Sequence, residues 1–323
     1  MNYNEIIDYS SLSTYIDCPR KFLFQYIMHF RSHRKSIHLV FGSAWHYGLE
    51  VVYKRLQHDP DCLTIIDATE LSIVEFNNLW EIESDGKFPD EDIIFPKSPG
   101  HAANMYHEYW KQYLDSDQQE KKIIAVESPF NINLSQIHPG LPDYIGRTDL
   151  ILEKENGSLE IIDHKTAKAL YPTTLAGFEM SLQTDGYLTA GHMFYDKIPT
   201  MTYSMALCQK SKIVFHRFYI HKRKMQIEQF LQDLVFYCKD IISNLSLLQE
   251  DMKLTARNDH IESFRRRPGY ACTVYMSNCP YFDICKMRNN PLGWIKHPPQ
   301  GYSINEWNPL KHEAEIKKKL AEI

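Results

Sequence analysis

Gly146-Arg147-Thr148-Asp149-Leu150-Ile151-Leu152-Glu153-Lys154-Glu155-Asn156-Gly157-Ser158-Leu159-Glu160-Ile161-Ile162-Asp163-His164-Lys165 reads as two strands joined at an Asn-Gly turn. Strand residues two apart share a face, so Asp163 and Lys165 project together. The direction of Asp149 depends on the parity of the loop. A two-residue loop at Asn156-Gly157 pairs 149 with 164 and turns Asp149 to the opposite face. An odd loop, Asn156-Gly157-Ser158 with a bulge, pairs 151 with 163 and 149 with 165, and the three side chains converge. The odd loop is the expectation.

Two carboxylates and an ammonium group crowded at a strand end do little for folding. Carboxylates a few Å apart repel, and such a pair persists when a cation sits between them. The chemistry this suits is phosphodiester hydrolysis. Asp149 and Asp163 would hold Mg²⁺ or Mn²⁺, the metal would lower the pKa of a bound water, and Lys165 would orient that water or meet charge developing on phosphorus. The bland alternative is an exposed hairpin with ordinary surface Asp and Lys.

Outward from the hairpin the period changes on both sides. Ser10 and Ser11 read as helix caps, and Pro19 as the first residue of a second helix. Residues 42–57 place Trp45, Leu49, Val52, Tyr53 and Leu56 at helical spacing. The stretch 123–132 is strand-like, 174–195 is helical, and a second hairpin turns at 209–212. A long helix follows from about Lys222 to Leu248. The order α–β–β–β–α–β–β–α predicts an α/β fold with a small mixed sheet. The segments expected are N-terminal helices with Cys18 and His46 (1–58), an acidic helical insertion (59–120), the core (121–250), a cysteine segment (251–290) and a tail (291–323). The tail carries Trp294 and Trp307 and reads as irregular before a short charged helix.

The chain has 323 residues, 43% hydrophobic and 24% charged, with a formal charge of −5. This composition excludes a disordered or collagen-like chain. No apolar run is long enough to span a membrane, and the N-terminus has no apolar signal region, so a cytoplasmic chain is expected. Charge is uneven. Arg20, Lys21, Arg31, Arg34 and Lys35 lie in an acid-free stretch from Cys18 to Leu49, and a second acid-free stretch, from Lys197 to Ile227, holds seven Lys and Arg. Arg265, Arg266 and Arg267 adjoin a cysteine cluster. A net-negative protein can thus still offer a basic groove to phosphates, with interleaved aromatics such as Phe22, Tyr26, Phe215 and Tyr219 to stack bases.

The chemical residues fall in a recognisable order: Gly42-Ser43-Ala44-Trp45-His46, then Gly146–Asp149, then Asp163–Lys165, then Gln183-Thr184-Asp185-Gly186-Tyr187. This resembles the RecB-like branch of the PD-(D/E)XK nuclease superfamily, over roughly residues 10 to 288. The resemblance implies a restriction-endonuclease-like core. It implies that His46, Asp149 and Asp163 are metal ligands, with the backbone carbonyl of His164 a further one, and that Lys165 is the catalytic lysine. Gln183 and Tyr187, at i and i+4 of one helix, would position the lysine and contact DNA. Glu127 matches a glutamate such proteins carry on the preceding strand.

Cys272, Cys279 and Cys285 follow a C-x6-C-x5-C spacing, which leaves one position open on a four-thiolate site. The RecB-like nucleases that contain an iron–sulfur cluster, such as AddB nuclease domains and CRISPR-adaptation exonucleases, fill it from an N-terminal Cys-Pro segment. The resemblance therefore implies a 4Fe-4S cluster on Cys18, Cys272, Cys279 and Cys285, stapling the N- and C-terminal parts. Zinc on the same thiolates is the alternative cofactor. Cys62, Cys208 and Cys238 read as core thiols.

The expected function is a Mg²⁺- or Mn²⁺-dependent DNA exonuclease acting on single strands or ends in recombination, repair or DNA processing. No Walker A sequence occurs, so the chain carries no helicase motor and would act alone or beside a separate helicase or recombinase. A catalytically idle DNA- or partner-binding module with the same fold is the alternative from another class. A CRISPR spacer-trimming nuclease differs in partners rather than chemistry.

Overall fold

The computed structural model describes residues 6–33, 36–88, 91–119, 121–254, 260–274, 277–287, 289–306 and 318–320. Arg34, Lys35, Trp307 and most of the charged helix expected after it lie outside the described residues. In chain order the elements are β1 (Ile6–Asp8), α1 (Tyr9–Asp17), α2 (Pro19–Phe22), β2 (Phe30–Ser32), α3 (Ile37–His58), α4 (Ile65–Ser84), α5 (Glu91–Ile94) and α6 (Pro99–Gln119). There follow β3 (Lys121–Ile132), β4 (Asp143–Lys154), β5 (Leu159–Ala167), α7 (Pro172–Glu179), α8 (Leu182–Tyr195), β6 (Thr200–Cys208), β7 (Ile213–Ile220) and α9 (Lys224–Leu254). The C-terminal part holds β8 (Thr273–Val274), β9 (Ser277–Asn278), α10 (Phe282–Met287) and β10 (Tyr302–Ile304). The helix expected over 174–195 is broken into α7 and α8, and Ser181 caps α8 by accepting from the Gln183 amide.

The chain forms two compact units. The first comprises Met1–Arg34, Asn131–Ile145 and Gln229–Glu315. In it β1 runs parallel to the start of β4, with Ile6 opposite Asp143 and Asp8 opposite Ile145. The N-cap of α1 is Asp8, and Ser11 closes the capping box from inside the helix. The sequence reading of Ser10 and Ser11 as caps is corrected: the capping-box partner was taken for the cap itself. Pro19 does start α2, where its missing N–H costs nothing. A loop early in the cysteine segment is tied to α9 by Asp251, whose carboxylate accepts from the Glu262 and Ser263 amides at 3.1 and 2.9 Å.

The second unit comprises Lys35–Phe130, Gly146–Glu228 and Ile316–Ile323. Its strands lie in the order β3-β4-β5-β6-β7. The β4–β5 and β6–β7 pairs are antiparallel and β5–β6 is parallel, joined by a crossover through α7 and α8. This is the mixed α/β sheet expected. One face carries Leu150, Leu152, Ile162, Ala206 and Phe215 against α3, α4 and α6. There Trp45 stacks on Tyr106 with ring centroids 4.2 Å apart. Gly48 makes that packing possible, since a Cβ would lie 2.4 Å from the Tyr106 hydroxyl and 2.7 Å from the Ser72 carbonyl. On the same side Asp117, fully buried, accepts from both terminal nitrogens of Arg217 at 2.7 and 2.6 Å and from Tyr53 at 2.8 Å. The other face is covered by α8, whose Gly191 lies against Pro199 and Ile161. Among the described residues no helix is long and apolar enough to cross a membrane.

Candidate active site

The β4–β5 turn settles the parity question. The Lys154 amide donates to the Ser158 carbonyl at 2.9 Å, and Gly157, at φ 73, donates to the Lys154 carbonyl at 2.8 Å. The loop is therefore Glu155-Asn156-Gly157, three residues with glycine at the left-handed position. The odd parity is as expected, but the register is two residues from the expected one: 151 faces 161, not 163. The turn closes one residue earlier than anticipated because left-handed Gly157 ends the loop rather than sitting at its centre. A slip of two leaves faces unchanged, so Asp149 and Asp163 still share one.

The ladder between β4 and β5 runs from Glu153–Leu159 to Leu150–Ile162. Beyond it the His164 amide donates to a carboxylate oxygen of Asp149 at 2.8 Å. The side chain takes the place of a strand carbonyl, and the two strands part around it. His46, reaching in from α3, lies with Nδ1 3.2 Å from the same Asp149 oxygen. Lys165 Nζ lies 2.6 Å from Asp163 Oδ2. Gln183 Nε2 donates to Asp163 Oδ1 at 3.0 Å and to the Tyr187 hydroxyl at 2.9 Å. Thus His46, Asp149, Asp163, Lys165, Gln183 and Tyr187, drawn from α3, β4, β5 and α8, meet at one place. Glu127 joins from β3, its carboxylate 2.6 Å from Arg147 Nε.

The expected site residue with a different placement is His164. Its ring points to the opposite face, stacked on Tyr53 at 5.7 Å between centroids, with neither ring nitrogen hydrogen-bonded. Burial pushes its pKa down to about 3, so the ring is a neutral core group. On the Asp149 side it is the His164 backbone amide that makes contact, donating to the Asp149 carboxylate.

Electrostatics reflect two crowded acids in a dry place. Burial alone would raise Asp149, but the nearby His46 charge and hydrogen bond, with Lys165, hold it well below the usual carboxylate range. Burial, opposed by Lys165 and reinforced by Asp149, pushes Asp163 up to about 6. Burial and then Asp149 push Glu127 up to about 8 against Arg147. Burial would lower His46 and Lys165, yet the neighbouring carboxylates raise both. Perturbations of this kind gather at functional sites.

Among the described residues, no three His, Cys, Asp or Glu side chains stand close enough to hold a metal ion as they are. The donor chemistry nonetheless fits a hard divalent cation: two buried carboxylates and an imidazole, with the negative charge met for now by His46 and Lys165.

Two features escaped the sequence reading. Arg147 stands two residues before Asp149 on the same strand face, a period-two signal that was legible but not used. Phe130 was legible only as a strand residue. Its ring lies over Gly146 and edge-on to Tyr187 at 6.0 Å, and this explains the glycine of Gly146–Asp149.

The four expected cysteines lie in the other unit around one cavity, though among the described residues they too do not stand close enough to hold a metal as they are. Cys18, Cys272, Cys279 and Cys285 line one cavity of about 160 Å³, together with Arg20 and Arg266. The long first gap is a small hairpin: Thr273 faces Asn278 and Val274 faces Ser277, so Cys272 and Cys279 flank its base. The Cys279 amide donates to the Cys272 carbonyl at 2.8 Å. Arg20 is buried and donates to the Phe264 and Asn289 carbonyls at 2.9 and 3.0 Å, joining both ends of the cysteine segment to α2. Burial pushes the Cys279 and Cys285 thiols up.

A family model of the PD-(D/E)XK nuclease superfamily matches residues 9–286. No curated protein matches the chain. Among solved structures it is similar to one described as "Putative exonuclease" from Eubacterium rectale, with 12% identity, 74% of this chain and 79% of that chain covered, and a TM-score of 0.40. It is also similar to the structure of SSO0001, with 12% identity, 73% and 78% covered, and a TM-score of 0.30. The chain belongs to the PD-(D/E)XK nuclease superfamily.

Proposed function

We propose that this superfamily member is a Mg²⁺- or Mn²⁺-dependent DNA nuclease of the RecB-like branch, an exonuclease acting on single strands or strand ends. The observation that carries the reading is the meeting of His46, Asp149, Asp163 and Lys165 where β4 and β5 part. Asp149, Asp163 and His46 would hold the cation. A divalent cation there neutralises charge on a phosphate and lowers the pKa of a water. Lys165, kept protonated by the carboxylates beside it, supplies positive charge for the phosphorus-bound oxygens as they gain charge. Gln183 fixes the rotamer of Asp163 while Tyr187 fixes Gln183, so α8 sets the aim of the acid that pairs with the lysine.

Cys18, Cys272, Cys279 and Cys285 would hold a 4Fe-4S cluster whose contribution is structural. Bringing residue 18 to residue 285 closes a long loop, and the cavity they line sets the four thiols among cationic side chains and the aromatic rings of Phe24, Tyr281 and Phe282. DNA is the expected partner, with a helicase or recombinase supplied by another chain and cytoplasmic action.

The test is degradation of 5′- and 3′-labelled single- and double-stranded DNA with Mn²⁺ and with EDTA. Stepwise shortening with Mn²⁺, none with EDTA, and a loss on the order of 10²–10³-fold in Lys165→Ala are expected. A Lys165→Ala protein that cuts at the wild-type rate overturns the assignment.

A further inference from the structure

Lys97 is a buried lysine with no acid to meet it. It lies between α5 and α6, in the stretch that reads as an acidic insertion, and is 7% exposed. Among the described residues its ammonium has no hydrogen-bond or ion-pair partner, and Nζ stands 5.0 Å over the ring of Phe41 on α3. Lysines this deep are seldom left unpaired, because taking the charge out of water is costly. The backbone around it is pinned. The Lys97 amide donates to the Ile94 carbonyl at 2.9 Å, and the Cys208 thiol donates to the Pro96 carbonyl at 2.9 Å. Ser98 is buried and accepts from the His101 amide at 3.3 Å.

The surroundings point to an anion. The N-cap of α3, Ser36, makes no side-chain capping bond, so no side chain of the cap satisfies the first-turn amides. Exposed His38 belongs to that turn. Burial and then the Lys97 charge push its pKa down, which puts the ammonium within electrostatic reach of the turn. His38, Gly42 and His46 follow at steps of four, on one face of α3. His46 reaches Asp149, and His38 lies roughly 12 Å from it along the helix axis. Between them, a Cβ at Gly42 would meet Thr166 Oγ1 at 3.7 Å and otherwise stand in open space among the described residues. We propose that Lys97 and the first turn of α3 bind a phosphate of the nucleic-acid strand, at a linkage beside the one cleaved, with Gly42 leaving the strand a clear path from His46. The inference deepens the nuclease reading and rests on it. The arriving phosphate supplies the negative charge that the lysine lacks. The competing role is packing alone, with the lysine stem filling space beside Phe41 and Cys208.

The test measures binding of single-stranded DNA with Mg²⁺ in a Lys165→Ala background, which stops turnover. The oligonucleotides each carry one uncharged methylphosphonate linkage, moved stepwise from the end. With Lys97 present, neutralising one linkage beside the scissile one weakens binding about tenfold, the size of one charged contact. Lys97→Met keeps the stem, abolishes that sensitivity and lowers the salt slope by about 0.7, the value for one phosphate on a single strand. Its melting temperature equals or exceeds that of the Lys97 protein, since a buried unpaired charge has gone. Gly42→Leu leaves the lysine in place, fills the path and removes the same sensitivity. Linkage sensitivity that survives in both variants, or that is absent before either change, overturns the phosphate site. A lower melting temperature in Lys97→Met with the sensitivity intact assigns the lysine to packing and overturns it equally. A Lys165→Ala protein that binds no single-stranded DNA overturns the nuclease reading itself, and the phosphate site with it.

Discussion

The ring of Phe130 occupies the space that a side chain at Gly146 would need: a Cβ there would lie 2.3 Å from the ring's Cζ. The same ring stands edge-on to Tyr187, which accepts from Gln183, which in turn donates to Asp163. Gly146→Ala should therefore destabilise the protein by about 1–3 kcal/mol, the usual cost of overpacking. It should also lower kcat by moving Tyr187 and Gln183. Adding Phe130→Leu to Gly146→Ala should recover part of both, as measured by thermal melts and single-turnover cleavage.

Glu127 sets a pH dependence whose sign is fixed by its raised folded-state pKa of about 8. A carboxylate raised on folding makes the native state bind more protons than the unfolded chain, so stability falls as pH rises from the ordinary glutamate range through about 8. Asp163, raised to about 6, contributes in the same direction over a lower window. Metal-free protein should melt at a lower temperature at pH 8 than at pH 5. Glu127→Gln should raise the metal-free melting temperature at pH 8 and change it much less at pH 5. A Tm in the variant with the same pH profile as wild type would contradict this.

Asp117 and Arg217 are both buried, joined by two hydrogen bonds across 100 residues of sequence. Removing Asp117 strands the buried Arg217 charge, and removing Arg217 leaves Asp117 with Lys121, 3.3 Å away, as its ion-pair partner. Arg217→Ala should cost about 3–5 kcal/mol in chemical denaturation, and Asp117→Ala a similar amount. The double replacement by apolar residues should cost less than either.

The cysteine cavity gives a spectroscopic prediction. Protein purified without oxygen should be brown, with iron and sulfide in equal amounts, and Cys18→Ala or Cys285→Ala should lose the colour and lower the Tm before any effect on the cleavage step. A colourless zinc-bound protein would replace the cluster with the four-thiolate alternative.

Much of this was legible in the sequence because it is local. Alternation at 159–165 placed Asp163 and Lys165 on one face, and helical spacing placed Gln183 beside Tyr187. The Asn-Gly turn signal left the parity of the hairpin open, and the odd loop was expected because it lets Asp149, Asp163 and Lys165 converge; the register was missed, since a glycine can take more than one turn position. The cap of α1 was misplaced because Asp8, Ser10 and Ser11 all have capping side chains and the choice is made by backbone angles. What could not be read was long-range. The approach of Tyr106 to Gly48, and of Phe130 to Gly146, depends on which elements pack together. The Asp117–Arg217 pair gives no local periodic signal at all.

The three residues of the Glu155-Asn156-Gly157 turn behave like a reading frame for the chemistry. Inserting or deleting two residues there keeps Asp149 and Asp163 on one side of the sheet. A change of one shifts every side chain on one strand to the far side and leaves one acid buried among the aromatics of α3 and α6. Natural length variation at this hairpin should therefore come in even steps wherever the chain still cuts.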